Sequence, residues 1–294
     1  MDLKYLEPVD DGLPMRNASE HTKNKLEALK RFIEMFLTAT KKGEWRAWNY
    51  IDLQAGPGKV KIRQPNEIVL GSPLIALKAP RNFTNYWFVE LEGENVRALK
   101  QRTNSSERKS NVRIICGDCN VVVDDIVKYI TGVDEDYREG KWSSLNLAFL
   151  DPEGLELEWS TVEKLASVNR MDLIINFSTS GFTRNVEKAL ESGNTETIDR
   201  FFGTTEWQKT YRKVRHEDGN RIRRAMIDFY KRRLADLDYL HVSDDLYPDE
   251  LVVKNSKGVQ QYTLLFISKS DLGRKFGREA ASRNRGQRKL PFTW

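Results

Sequence analysis

Residues Trp48 to Gly58 read W-N-Y-I-D-L-Q-A-G-P-G. An apolar run carries the carboxylate of Asp52 and then stops at two glycines flanking a proline. A short apolar run bounded by turn residues predicts a buried strand. The glycines predict a turn whose backbone N–H groups can approach a ligand closely. The pattern is neither the G-x-G-x-x-G dinucleotide fingerprint nor a P-loop, because no Gly-Lys-Ser/Thr follows. It therefore matches a nicotinamide cofactor or a nucleoside triphosphate poorly.

Outward from this strand, apolar runs alternate with helical stretches. Tyr50–Leu53 precedes a helix over Pro73–Lys78, and Tyr86–Leu91 precedes one over Asn95–Arg102. Val112–Ile115 leads to Val121–Ile130, Leu145–Leu150 leads to Ser160–Ser167, and Asp172–Phe177 is the fifth strand. Short strands rich in Ile, Val, Leu and Phe and separated by helices predict an α/β, doubly wound, mostly parallel sheet. Upstream, Leu26, Leu29, Ile33, Phe36 and Leu37 fall on one face of a helix, with Ser19 or Thr22 as its cap. Ser72 reads as the cap of the helix begun by Pro73.

After the fifth strand the alternation stops, and residues 183–240 read as helices. Leu251–Lys254 and Tyr262–Ser268, joined by N-S-K-G-V-Q-Q, predict an antiparallel hairpin that completes a seven-stranded sheet. The expected organisation is an N-terminal extension (1–18) without clear periodicity, a core (19–182), a helical insertion (183–240), C-terminal strands (241–270) and a basic tail (271–294).

Composition narrows the class. The 294 residues are 39% hydrophobic, enough for a full core. The longest apolar runs fall well short of 18 residues, too short for a membrane-spanning helix. The N-terminus M-D-L-K-Y-L-E-P-V-D-D-G is acidic and lacks an apolar signal segment, so a cytoplasmic location is expected. The net charge is +5. Between Asp271 and Lys289 seven Lys/Arg face two acids, which matches that excess and suggests either nucleic acid as a partner or a solvated tail. The two cysteines, in C-G-D-C, lack the second pair a structural zinc needs, and His21, His216 and His241 are scattered. Reduced thiols at a strand end are expected.

In doubly wound folds, ligands sit outside the carboxyl ends of the strands, where the strand order reverses. The first strand ends in Asp52, Ala55, Gly56 and Gly58, and the second in Glu90, with Glu92 two residues on. The third ends in Asp118, and the fourth in Asp151 and Pro152. Taken singly, each acid also reads as a cap for the helix that follows it. Taken together, the layout resembles the Rossmann-like class I S-adenosylmethionine-dependent methyltransferases. That resemblance implies S-adenosylmethionine as cofactor. It would place the methionine end at Asp52, Ala55, Gly56 and Gly58, the ribose hydroxyls at Glu90 and the adenine amino group at Asp118.

Closer wording is shared with one family. E-H-T-K-N-K-L, Y-I-D-L-Q-A-G-P-G, L-G-S-P-L-I-A-L, F-V-E-L-E, L-A-F-L-D-P-E-G-L-E-L-E-W and D-L-I-I-N-F-S resemble the three-Cys-motif partner family, over residues 19 to 270. The resemblance implies a partner protein bearing a three-cysteine, iron–sulfur-like motif.

D-P-E-G resembles the D-P-P-[Y/F] loop of amino-methyltransferases. There the acid and a proline carbonyl accept hydrogen bonds from a target amine, and an aromatic stacks on an extruded base. Asp151 and Pro152 fit as the catalytic pair, or else Asp151 caps the next turn. Glu153 and Gly154 depart from the pattern, leaving Trp159, Phe177 or Phe182 to stack. Asn176, Ser178, Ser180 and Arg184 reach the same edge, or else form a hydroxyl-rich loop capping the helix that starts near Thr183. Arg221, Arg223, Arg224, Lys231, Arg232 and Arg233, near Trp207, Tyr211, Phe229 and Tyr230, suggest a positive face over the acceptor side, or a solvated helix. The expected function is a methyltransferase acting on RNA or DNA. The alternatives are a non-catalytic scaffold for the three-cysteine protein, or a defence-associated nuclease with Asp52, Asp118 and Asp151 gathered at a metal.

Overall fold

The computed structural model describes residues 3–135, 144–239, 250–254, 258 and 260–282. The tail carrying Arg283, Arg285, Arg288 and Lys289 lies outside them. The chain forms β1 (Arg16–Ala18), α1 (Thr22–Ala39) and β2 (Trp48–Asp52), then a hairpin of β3 (Lys59–Ile62) and β4 (Glu67–Leu70). Next come α2 (Ser72–Leu77), β5 (Asn85–Glu90), α3 (Gly93–Thr103), β6 (Val112–Cys116) and α4 (Cys119–Glu135). β7 (Leu145–Leu150), α5 (Trp159–Ser167) and β8 (Met171–Phe177) precede four helices: α6 (Thr179–Ser192), α7 (Glu196–Phe202), α8 (Trp207–Val214) and α9 (Gly219–Ala235). β9 (Glu250–Lys254), β10 (Gln260–Ile267) and α10 (Asp271–Ser282) follow.

Seven strands form one sheet in the order β6-β5-β2-β7-β8-β10-β9. β10 runs antiparallel to β8 and β9, and the five strands from β6 to β8 are parallel. This is the doubly wound, Rossmann-like sheet with an antiparallel C-terminal hairpin that the alternation predicts. β7 and β8 are buried at every position because helices cover both sheet faces, and so they read as unbroken apolar runs. On one face the stripe of α1 (Leu26, Leu29, Phe32, Ile33, Phe36, Leu37) packs with Tyr50, Phe88 and Phe149. On the other, residues of α4 to α9 pack against Ile51, Val89, Leu150 and Phe177.

β2 lies between β5 and β7, and the chain leaves it in one direction and returns on the other. The carboxyl ends of β2 and β7 are therefore neighbours, with Asp52 in register with Phe149. The glycine turn and the D-P-E-G loop emerge side by side.

Local expectations are corrected in three places. A separate three-stranded sheet forms from β1, ahead of α1, and the β3-β4 hairpin between the glycine turn and α2; its strands are only three or four residues long, too short to show a period. α1 is capped at His21 without a side-chain hydrogen bond, so neither Ser19 nor Thr22 serves. Gly71 is the cap of α2, and Ser72 is its first, buried residue.

Candidate functional site at the strand ends

The turn after β2 is held from three sides. Ala55 N–H donates to Val89 O at 2.9 Å, and Gly56 N–H donates to Glu90 Oε2 at 2.8 Å. Gly71 N–H donates to Gly58 O at 2.7 Å, so the start of α2 closes over the turn. Gly56 and Gly58 have φ of 64° and 94°, which side chains rarely adopt. At Gly58 a Cβ would also meet Leu99 Cδ1 at 3.0 Å.

A cleft of about 280 Å³ opens beside this turn. Ala55, Gly56 and Gly58 line it, as do Asp151 and Pro152 from the loop after β7. This is at the small end of the ~300–1,000 Å³ usual for small-molecule sites. Asn176, Ser178 and Ser180 reach it from β8 and α6, while Arg184 instead donates back to Ser180 O.

Asp52 is fully buried beneath the turn and lines no part of the cleft, its carboxylate facing the Ser72 hydroxyl and the Gln54 backbone. Burial pushes its carboxyl up to about 7; the Asp151 and Glu90 charges add to this, and the nearby Ser72 hydroxyl opposes it. The Tyr50 hydroxyl, two residues earlier on the same strand face, is buried beside it. Glu90 stands behind the turn, its other oxygen accepting from Glu92 N–H at 2.9 Å. Asp118 is exposed at the head of α4, where Oδ1 accepts from Asn120 N–H. Glu90 and Asp118 thus share the strand-end edge with the turn but lie outside the cleft itself. Leu91, next to Glu90, and Val121, in the first turn of α4, are exposed apolar side chains, at 65% and 67%.

Asp151 is already partnered. Lys25 Nζ donates to its two oxygens at 2.7 and 2.6 Å, and Asn176 Nδ2 donates to Oδ1 at 2.8 Å. Burial alone would raise this carboxyl, but Lys25 above all, then Arg16 and Asn176, hold it below the usual carboxylate range. Asn176 Oδ1 is left buried without a partner. Tyr262 closes the cleft, its ring 5.4 Å from Lys25 Nζ and its hydroxyl donating to His21 O. His21 lines the cleft too; burial, then the Lys25 charge, lowers its imidazole pKa. Glu153, the departure from D-P-P-[Y/F], pairs with Arg16 at 2.7 Å.

Sequence reasoning missed Arg16, His21, Lys25 and Tyr262. The available signal was Lys25, a charged residue in register with the buried stripe Ala28, Leu29, Phe32 and Phe36.

Other expectations are overturned by packing. Trp159, Phe177 and Phe182, offered as stacking groups, are 2%, 0% and 1% exposed inside one aromatic cluster. Trp207, Tyr211 and Tyr230 are buried there as well. Of the six cations expected to form a positive face on α9, three are engaged internally, while Arg221 and Arg232 are exposed. Arg224 and Lys231 converge on buried Glu250, and Arg233 lies over Trp159. Asp52, Asp118 and Asp151 do not gather, and no group of three or more His, Cys, Asp or Glu among the described residues could hold a metal ion. Cys116 and Cys119 are free thiols; burial pushes Cys119 up to about 12, which suppresses thiolate chemistry. No helix among the described residues is long and apolar enough to cross a membrane.

No family model and no curated protein matches the chain. Among solved structures, a protein from Legionella pneumophila superposes with a TM-score of 0.49 at 10% identity, covering 89% of this chain and 91% of its own. An O-methyltransferase from Bacillus cereus in complex with SAH gives 0.44 at 11% identity, over 87% and 84%. The O-methyltransferase TomG from Streptomyces achromogenes, in complex with SAM, gives 0.42 at 11%, over 86% and 82%. Similarity this low carries no activity across to this chain.

Proposed function

We propose that the chain is an S-adenosylmethionine-dependent methyltransferase acting on nucleic acid. The observation that carries the reading is the turn Ala55–Gly58, built on Glu90 and opening onto the cleft at the carboxyl ends of β2 and β7. Ala55, Gly56 and Gly58 would hold the methionine end of this cofactor, and Glu90, which already accepts from Gly56, Glu92 and Asn95, would turn its remaining acceptor capacity to the ribose. Leu91 and Val121 would flank the adenine, with Asp118 at its amino group. The cofactor brings a methyl group already activated on a sulfonium; the protein's share is alignment and handling of the acceptor's proton.

Nucleic acid as acceptor rests on the +5 net charge and the basic run toward the C-terminus. Readout of an extruded base by stacking is not part of the proposal, since the aromatics are buried. Membership of the three-Cys-motif partner family, with its three-cysteine partner protein, rests on the sequence resemblance alone.

The test is calorimetry with S-adenosylmethionine and S-adenosylhomocysteine, followed by transfer of labelled methyl to total RNA and DNA. A ligand at 100 times its dissociation constant should stabilise the fold by about 2.7 kcal/mol. Absence of both binding heat and a raised Tm would end the proposal.

One observation favours a second reading, a non-catalytic scaffold on the same fold. Lys25 occupies the acid of the acceptor loop, where a target amine would bind. Cofactor binding without methyl transfer, together with co-purification of a three-cysteine protein, would select it.

A further inference from the structure

The residues before β1 do not trail from the core. Asp11, Lys59 and Arg102 form a charged cluster whose side chains are all 0% exposed. Every polar hydrogen in it is used. Lys59 Nζ donates to Lys4 O at 2.7 Å, Val9 O at 2.9 Å and Asp11 Oδ2 at 2.8 Å. Arg102 donates through Nε and Nη2 to the two oxygens of Asp11, at 2.9 and 2.7 Å. Its remaining hydrogens go to Leu13 O, Pro14 O and Pro57 O, at 3.3, 2.9 and 2.6 Å. Leu13 N–H gives Asp11 Oδ1 a further donor at 3.1 Å. Three ammonium and five guanidinium hydrogens are thus satisfied, so neither cation has a donor left for a ligand.

What these bonds join is informative. Pro57 is the centre of the glycine turn, and Leu13 and Pro14 lead directly into β1. β1 pairs in parallel with β3, Arg16 opposite Val60, and Arg16, Asn17 and Ala18 form a wall of the cleft. Arg16 then reaches Glu153 on the acceptor loop. Residues 4–13 line no part of the cleft, yet they hold both the turn and the wall that do.

We infer that Asp11 and Arg102 are positioning residues for the site: they latch residues 4–14 onto the Pro57 carbonyl, so that the turn and the β1 wall order and loosen as one unit. The latch is a fully satisfied network of desolvated charges, which specifies one arrangement and tolerates no partial loss. Its effect on a ligand rests on the reading of this cleft as the S-adenosylmethionine site. Its mechanical content does not.

Hydrogen exchange followed by mass spectrometry on the full chain tests both parts. In the first arm, S-adenosylhomocysteine is added to the wild-type protein. Slower exchange is expected in residues 53–60 and also in 4–13, which the ligand does not touch. In the second arm, Asp11→Asn leaves two buried cations facing no anion. Exchange should quicken together in 4–18 and 53–60 while β8 stays protected, and affinity for S-adenosylhomocysteine should fall roughly 5- to 150-fold, the usual range of coupling between linked sites. Protection of 53–60 by the ligand without any change in 4–13, or loosening of 4–18 alone in Asp11→Asn, overturns the inference. Absence of binding to the wild-type protein instead removes the cofactor reading and leaves the second arm to decide. If Asp11→Asn exposes β8 as well, the variant has unfolded and the wild-type arm decides.

Discussion

Lys25 on α1 seats its ammonium between the two carboxylate oxygens of Asp151, at 2.7 and 2.6 Å, with both side chains about 8% exposed. The acid heading the acceptor loop is therefore neutralised from within the fold. Asp151 must be ionised for this arrangement to persist, and Lys25 holds it so.

Replacing Lys25 by Met removes the counter-charge and leaves a buried carboxylate. Stability should fall by about 3–5 kcal/mol in urea unfolding at neutral pH. The sign of the pH dependence follows from the depressed folded-state pKa. In the wild type this contribution is present above the unfolded carboxylate pKa and is lost as pH falls through the folded one. Without Lys25 the folded pKa rises, so the variant should lose less stability on acidification than the wild type. A variant as stable as wild type at pH 7 would show the pair to be energetically idle.

Asp52 behaves in the opposite sense. Its folded-state pKa of about 7 exceeds the unfolded value, so the folded protein keeps a proton that the unfolded chain has released. Stability contributed at this position falls as pH rises from about 4 to 7 and stays low above that. Asp52→Asn should therefore raise Tm at pH 8 but not at pH 4, by at least ~1 kcal/mol in free energy, since one pKa unit is worth about 1.36 kcal/mol. The same change should weaken S-adenosylmethionine binding, most clearly above pH 7. Equal Tm shifts at both pH values would refute the assignment.

Glu90 ties the turn to β5 through Gly56 N–H at 2.8 Å. Glu90→Ala takes away that acceptor together with any contact to the ribose. Calorimetry should show S-adenosylhomocysteine binding weakened by about 1–3 kcal/mol, with Glu90→Gln losing less because it retains one oxygen. Unchanged affinity in Glu90→Ala would place the ribose elsewhere.

Glu250 on β9 accepts from Arg224 at 2.6 and 3.0 Å and from Lys231 at 2.7 Å, with its side chain wholly buried. Glu250→Ala leaves two cations of α9 without their shared anion. Urea unfolding should report a loss of about 3–5 kcal/mol. A loss below ~1 kcal/mol would mean that Arg224 and Lys231 turn outward, restoring a basic surface.

Much of the fold was legible because it rests on local rules. A strand covered on both faces must be apolar throughout, as β7 and β8 are, and a helix on one face must carry a stripe, as α1 does. The glycines at 56 and 58 announced a turn that only they adopt freely. The β1-β3-β4 sheet escaped notice because three or four residues show no period and Lys59 hides its burial behind a charge.

The sequence alone determined the order of the strands' terminal acids, since parallel strands in a doubly wound sheet all end at one edge. Only the tertiary structure decided what each charge does. Lys25 and Asp151 are separated by 126 positions in the chain, and Arg102 and Asp11 by 91. A charge takes its meaning from its neighbours in a desolvated space, and those neighbours are chosen by packing rather than by proximity along the chain.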